Sequence, residues 1–378
     1  MNKNIEPSFS LKIRKFNRLY NKKIIIIFIS ILLSFNNIKD YNNENMTSTE
    51  IDKIINSNIE DIFHNYKYNY SKEELIPYLK YIEYSRCNLT FNTKKFKSSP
   101  KPKISIVISL YNREQYIKYA LNSVQNQELT DIETIVVDDF STDNSVNAVK
   151  EFQKYDSRII LLENKQNKGA LYSKSIGALH AKGEFINSLD SDDMFCNRNY
   201  LDIAYKEIIS NNYDFVISKV IYLSEVHKYL ELRYSSITVL YTKLIKKEVY
   251  RNSILKIGKR ILNLKIDAMD DEIVSLFLLQ NRKYKYLNIL GFAHIMHFAP
   301  HVFSNRFKTK KNSKIYCGRL LKTIEGLYII NHPGGINFGK TLLNRYFING
   351  ECTYITKLKY IKRLNKSNEE IKKIYHSK

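Results

Sequence analysis

The stretch "IETIVVDDFSTDNS", residues 132–145, decides the fold. Its first half is a short β-branched apolar run that ends on two carboxylates. Its second half opens a helical pattern, "DNSVNAVKEFQKY" at 143–155. An apolar run too short for a helix, closed by polar residues and followed at once by helical spacing, reads as one strand–helix unit. The same texture recurs on both sides. "ISIVISL" (104–110) precedes "REQYIKYALNSVQNQ" (113–127), "RIILLEN" (158–164) precedes "GALYSKSIGALHAKG" (169–183), and "EFINSLD" follows at 184–190. Strand and helix alternating in this way predict an α/β fold, a doubly wound and mostly parallel central sheet flanked by helices. Ligands of such sheets gather beyond the carboxyl ends of the strands. Tyr111, Asn112, Asp138, Asp139, Asp190, Asp192 and Asp193 all fall just past strand ends, so they should converge on one crevice.

The second acidic strand end is "LDSDD", 189–193. Alternate residues of a strand point the same way, so Asp190 and Asp192 share a side while Asp193 faces elsewhere. Two neighbouring oxygen ligands suit Mg²⁺ or Mn²⁺, hard cations that accept few protein ligands and complete their shell with phosphate and water. Taken alone, the motif could equally be a solvated acidic turn, and Asp138 could simply cap the helix that follows it. Two such strand ends in one sheet, however, crowd Asp138, Asp139, Asp190 and Asp192 around a single cleft, which is costly unless a cation and a polar ligand belong there.

Four segments in order, "ISIVISLYNREQYIKYALNSVQNQ", "IETIVVDDFSTDNS", "NKGALYSKSIGALHAKGEFI" and "LDSDD", resemble the family 2 glycosyltransferases of the GT-A fold, over about residues 103–300. The resemblance implies inverting transfer of a sugar from a nucleotide diphosphate sugar, commonly a UDP-sugar, to an acceptor hydroxyl on a glycan, glycoprotein or lipid. It places Ser109, Tyr111, Asn112 and Asp139 at the nucleotide, with Lys174 beside it where the family often has Arg. It sets Asp190 by the ribose or in the second shell of the metal, and makes Asp192 the metal ligand. In "MDDEIVSLF" (269–277) it aligns Asp271 with the catalytic base, and in "GFAHIMHFAPHVF" (291–303) it offers His297 to the diphosphate or the metal. One displacement opposite the leaving group needs one carboxylate to take the acceptor proton, and a metal to neutralise the departing phosphate. Phe140 stands where many relatives have Gly, and Asn197 where a Pro often follows the metal motif. The Q-x-x-R-W element of processive synthases is missing from a chain without Trp, so transfer of single sugars is expected.

The rest of the chain bounds this reading. Sixty Lys and Arg against thirty-eight Asp and Glu give a formal charge of +22. The basic residues are spread along the sequence and accompany no zinc-finger, RNP or basic-zipper pattern, so a nucleic-acid partner is not expected. Four scattered cysteines form no C-x-x-C pair and leave room for one or two bridges. "KKIIIIFISILLSF" (22–35) follows a basic segment, so residues 1–23 read as a cytosolic tail and 24–35 as a signal anchor or the apolar core of a signal peptide. That places the enzyme in a membrane by a single pass, with the catalytic domain facing the ER or Golgi lumen if the organism is eukaryotic. Residues 36–102, ending in "KSSPKPK", read as a stem and linker with some helix near 73–83. Residues 103–304 form the catalytic domain, and 305–378 a basic helical extension. Two other classes share the sheet: a catalytically silent nucleotide-sugar-binding scaffold, against which Asp139, Asp192 and Asp271 argue, and a nucleotidyltransferase, which would want a Gly-rich phosphate loop that "SLYNREQY" is not.

Overall fold

The computed structural model of the chain describes residues 48–68, 71–87, 95–224, 229–296, 310–330 and 332–342, with Arg345 and Cys352. Two helices come first, α1 (Ser48–Asn65) and α2 (Lys72–Cys87), separated by β1 (Lys67–Tyr68). Strands and helices then alternate: β2 (Ile104–Leu110), α3 (Ile117–Gln125), β3 (Ile132–Asp138), α4 (Ser145–Gln153), β4 (Ile159–Glu163), α5 (Ala170–His180) and β5 (Phe185–Asp190). After the short β6 (Met194–Phe195) come α6 (Tyr200–Asn211), β7 (Phe215–Ser224), β8 (Tyr229–Tyr234) and β9 (Lys243–Lys246). The chain continues through α7 (Lys247–Leu262), α8 (Asp270–Leu278), β10 (Tyr284–Met296), α9 (Lys310–Ile330) and α10 (Pro333–Leu342).

Strands β4, β3, β2 and β5 lie side by side and parallel, as the alternation requires. Their register sets the site. Ser109 is paired with Val137 on one side and Asp190 on the other, and Leu110 with Asp138, so three strands end level. The sheet is mostly parallel, as expected, with antiparallel pairs beyond β5: β9 runs antiparallel to β5, β7 antiparallel to β9, and β8 antiparallel to β7. β10 returns parallel to β7 and antiparallel to β6. Nothing in a strand's own residues states its direction, which is fixed by the connection that delivers it.

Both faces of the sheet are covered. Ile104, Ile106 and Ile108 pack with α3, α4 and α6, while Val107, Ile135 and Val137 point the other way and pack with α5, α7, α8 and α9. This alternation is the period of two acting on a sheet buried on both sides. Gly177 lets α5 lie close, since a Cβ there would stand 2.4 Å from Val107 Cγ1.

The segment expected as a stem and linker is, over its described part, built into the domain. Ile55, Ile59, Ile62 and Phe63 form one stripe of α1, and they bury with Leu75, Leu79 and Ile82 of α2 against Ile221, Leu223, Leu230 and Leu290 of the sheet. Each such side chain contributes ~1.5–3 kcal/mol, more than a detached spacer has any source for. The membrane segment expected at 24–35 lies outside the described residues, and among those described no helix is long and apolar enough to cross a membrane.

The extension after residue 305 is helical over its described part and docks on α7 and α8 through Leu320, Leu321, Ile324 and Leu327. Cys317 of α9 is bonded to Cys352, 35 residues on. A loop of that length, closed covalently, stabilises by roughly 4 kcal/mol in the chain-entropy account. Cys352→Ser, or reduction with dithiothreitol, should therefore lower the thermal melting temperature by several degrees. An unchanged melt would show that the link adds no stability.

Candidate active site

Three carboxylates surround one buried ammonium at the carboxyl edge of the parallel strands. Lys174, from α5 and only 5% exposed, donates a hydrogen bond from Nζ to Asp271 Oδ1 at 3.0 Å. The same nitrogen lies 2.9 Å from Asp190 Oδ1, at the end of β5, and 2.9 Å from Asp270 Oδ2. Asp270 and Asp271 open α8, where the helix N-terminus favours negative charge. Asp271 is gripped twice, because its Oδ2 accepts the Leu240 backbone N–H at 3.0 Å. The approach to α8 is braced from behind by α9, where Thr323 Oγ1 donates to the Ala268 carbonyl at 2.6 Å and Arg319 Nε lies 3.3 Å from Asp267. Burial lowers the affinity of Lys174 for its proton, but the three carboxylates outweigh it and hold the ammonium well above its ordinary range. Asp190 and Asp270 move upward because they are buried and face each other and Asp271; Asp270 reaches about 6.

The site residues read from the sequence divide into two groups. Asp190, Lys174 and Asp271 meet directly, and Lys174, expected beside the nucleotide, is buried among carboxylates. Asp192 lies near them with its side chain 20% exposed, and Arg113 Nε reaches it at 3.2 Å. Ser109 is the register neighbour of Asp190, and Tyr111 stands at the same edge with its side chain exposed. Asn112 is laced into the neighbouring loop: its N–H donates to Ser141 Oγ at 3.0 Å, and its Oδ1 accepts the Thr142 N–H at 2.8 Å. Asp139 is turned inward, taking N–H groups of Lys168 and Gly169 at 2.7 Å and the Asn164 amide at 3.0 Å. A ligand contact at Asp139 would share or displace these bonds. Phe140, half exposed, holds a left-handed φ of 68° at the position where the resemblance expects Gly.

His297 lies outside the described residues. The imidazole that the fold does bring in is His294 of β10, two residues past Phe292 on the same strand face. Asp193 holds its Nδ1 at 2.9 Å and also accepts the Ile295 N–H at 3.3 Å, while the Tyr241 ring stacks on it at 5.7 Å. Strand β5 ends at Asp190, and a turn closed by the Asp193 N–H donating to the Asp190 carbonyl at 3.0 Å carries Asp193 to His294. Burial lifts Asp193 to about 6, and the Asp193 carboxylate, outweighing burial, lifts His294 to about 9. The available signal for His294 was the strand period in "GFAHIM"; the resemblance alone pointed three residues later. Arg113 was legible only as a polar residue after β2.

Among the described residues, no group of three or more His, Cys, Asp or Glu side chains is placed to hold a metal ion. Asp190 and Asp270 are taken up by Lys174 and Asp193 by His294, so the oxygen donor chemistry fits a divalent cation with few protein ligands at Asp192, a partly exposed carboxylate whose partner is Arg113. Asp192 at the rim would be the ligand, with phosphate and water supplying the rest.

A second buried lysine lies close by. Lys243 is fully buried, with its ammonium donating to the Val239 carbonyl, and burial pulls it down to about 7 from an ordinary 10.5. Between those values the unfolded chain binds a proton that the folded chain does not, so this group makes stability rise with pH across about 7 to 10.5. Each unit is worth about 1.4 kcal/mol. Lys243→Met should raise the melting temperature at pH 7 and flatten its rise toward pH 10. A less stable variant at pH 7 would contradict this reading of Lys243.

Comparison with known proteins finds that residues 105–267 match the family described as Glycosyl transferase family 2. The match ends before Asp270 and Asp271, so their assignment stands on geometry and resemblance alone. The chain is 33% identical over 115 residues to the glycosyltransferase GlyA of Streptococcus pneumoniae, covering 30% of this chain and 16% of that protein. It is 35% identical over 114 residues to GlyG of the same organism, covering 30% and 38%. Over 113 residues it is 38% identical to WfgD of Escherichia coli, named a UDP-Glc:alpha-D-GlcNAc-diphosphoundecaprenol beta-1,3-glucosyltransferase, covering 30% and 44%. The chain therefore matches less than half the length of these relatives. Staphylococcus aureus TarS, solved with UDP-GlcNAc, is 18% identical and superposes with a TM-score of 0.45 over 66% of this chain and 73% of that one, a likeness too slight to add to the fold described above.

Proposed function

We propose that the chain, whose residues 105–267 match Glycosyl transferase family 2, moves one sugar from a nucleotide diphosphate sugar, a UDP-sugar first, to an acceptor hydroxyl with inversion. The observation that carries the reading is the meeting of Asp190, from a strand end, with Asp271, from the first turn of α8, across one ammonium. Donor and acceptor groups of a single displacement need that arrangement: a polar strand edge for the nucleotide, and one carboxylate opposite the leaving group.

The residues take the following parts. Ser109, Tyr111 and Asn112 border the nucleotide, Asp139 fixes the loop beside it, and Asp190 faces the ribose. Asp271 accepts the acceptor hydroxyl's proton while the oxygen forms its bond to the anomeric carbon, and the sugar–phosphate bond breaks with its electron pair leaving on the diphosphate. Mn²⁺ or Mg²⁺ held at Asp192 would neutralise that developing charge.

The acceptor is a glycan, glycoprotein or lipid hydroxyl. The undecaprenyl diphosphate named for WfgD favours the lipid class, as does the basic and apolar leader at 12–35, which would hold the domain at a membrane. The Cys317–Cys352 bond favours an oxidising compartment for the catalytic domain. The test is release of UDP from UDP-glucose, UDP-galactose and their N-acetylated counterparts, with Mn²⁺ and with a chelator. Turnover with Mn²⁺ supports the reading. A folded protein that neither binds UDP nor hydrolyses any of these donors overturns it.

A further inference from the structure

We propose that Lys174 is the positioning residue of this site, holding the base Asp271 on the acceptor side against Asp190 on the donor side. The inference rests on the reading of Asp271 as the base, and deepens it. A lysine ammonium has three N–H groups and no acceptor. Here it has three carboxylates within 2.9–3.0 Å, and its hydrogen bond goes to Asp271. The nitrogen is too deep to serve as a surface phosphate contact, since Lys174 as a whole is 4% exposed and the carboxylates enclose it.

The geometry of Asp271 shows what the ammonium does. One carboxylate oxygen takes Lys174 Nζ and the other takes the Leu240 N–H, so the plane of the carboxylate is fixed at two points and its remaining lone pairs are left to the cleft. Both partners are donors, and each occupies one carboxylate oxygen. With Lys174 removed, Asp271 keeps only the Leu240 bond and faces Asp190 and Asp270 with no cation between them. Repulsion would turn it away from the reacting oxygen, and a displacement of about 1 Å costs on the order of 100-fold in rate. The nucleotide, held at the strand ends, would be little affected. A positioning residue thus differs from a nucleotide ligand in where the loss falls.

Lys174→Gln and Lys174→Arg test this, with kcat and KM measured on the UDP-sugar turned over fastest by the wild type, and UDP affinity by calorimetry. Lys174→Gln should lose ~100-fold in kcat while UDP affinity stays within about threefold, a change below ~0.7 kcal/mol. Lys174→Arg, which keeps a charged donor, should recover most of that loss. Three buried carboxylates without a cation can prevent folding. If Lys174→Gln does not fold, the same measurements on Lys174→Gln with Asp270→Asn, which removes one of the negative charges, decide. Weaker UDP binding or a raised KM with kcat intact would make Lys174 a nucleotide ligand and overturn the proposal. A lower melting temperature with kcat per folded molecule unchanged would make it purely structural, and also overturn it. A wild type that turns over no UDP-sugar would sink the glycosyltransferase reading and this proposal together, whereas an active wild type with an unimpaired Lys174→Gln sinks the proposal alone.

Discussion

Asp271→Asn lowers kcat for sugar transfer by ~10³-fold and leaves UDP affinity within a factor of three or so, in the range that removal of a general base commands. The amide keeps the shape of the side chain but accepts no proton. Its contacts make the outcome specific. Asp271 touches Lys174 and the Leu240 N–H, both parts of the protein itself, so nucleotide binding does not depend on it. An amide nitrogen placed toward either of these donors also loses a hydrogen bond, and a modest fall in melting temperature accompanies the loss of rate. Stopped or continuous UDP-release assays, corrected for folded protein, read the effect. Full activity in this variant would reject the assignment of the base.

Asp192→Ala removes a partly exposed acidic side chain at the strand edge, and with it the partner of Arg113. Its loss abolishes the dependence of nucleotide binding on Mn²⁺ and lowers turnover by ~10²–10³-fold, the range that several kcal/mol of charge stabilisation commands. The two variants separate by what they lose. Asp271→Asn keeps Mn²⁺-assisted UDP binding and loses rate; Asp192→Ala loses both. Calorimetric titration of UDP with and without Mn²⁺ distinguishes them, and an Asp192→Ala protein that still binds UDP more tightly with Mn²⁺ would remove Asp192 from the ligand set.

The parallel half of the fold was legible because its strands are buried on both faces. "ISIVISL" and "IETIVVD" read as unbroken apolar or β-branched runs, and the register that aligns Ser109 with Asp190 follows once they are parallel neighbours. The acidic first turn of "DDEIVSLFL" is the kind of signal that marks a helix start. The other half was not legible. Strand β9 has four residues, too few to carry a period, and the pairing of β10 with β7 joins residues some seventy positions apart, for example Tyr284 with Phe215. Missing the pairings of β10 with β6 and β7 meant missing His294, which they bring against Asp193. The burial of α1 and α2 was hidden for a different reason. Their apolar stripes sit in a segment so rich in Asn, Lys and Tyr that its composition suggested a spacer. Lys174 was found as a residue, but its partners were not, since sequence places a side chain on a helix but does not say which carboxylates surround it.

The central claim is a single displacement driven by one carboxylate, and the configuration of the product tests it most directly. With a UDP-α-hexose donor that the wild type uses, the proton NMR spectrum of the new glycoside should show the large anomeric coupling of a β-linkage for a gluco- or galacto-configured sugar. An α-linked product would mean retention, and would contradict the role assigned here to Asp271.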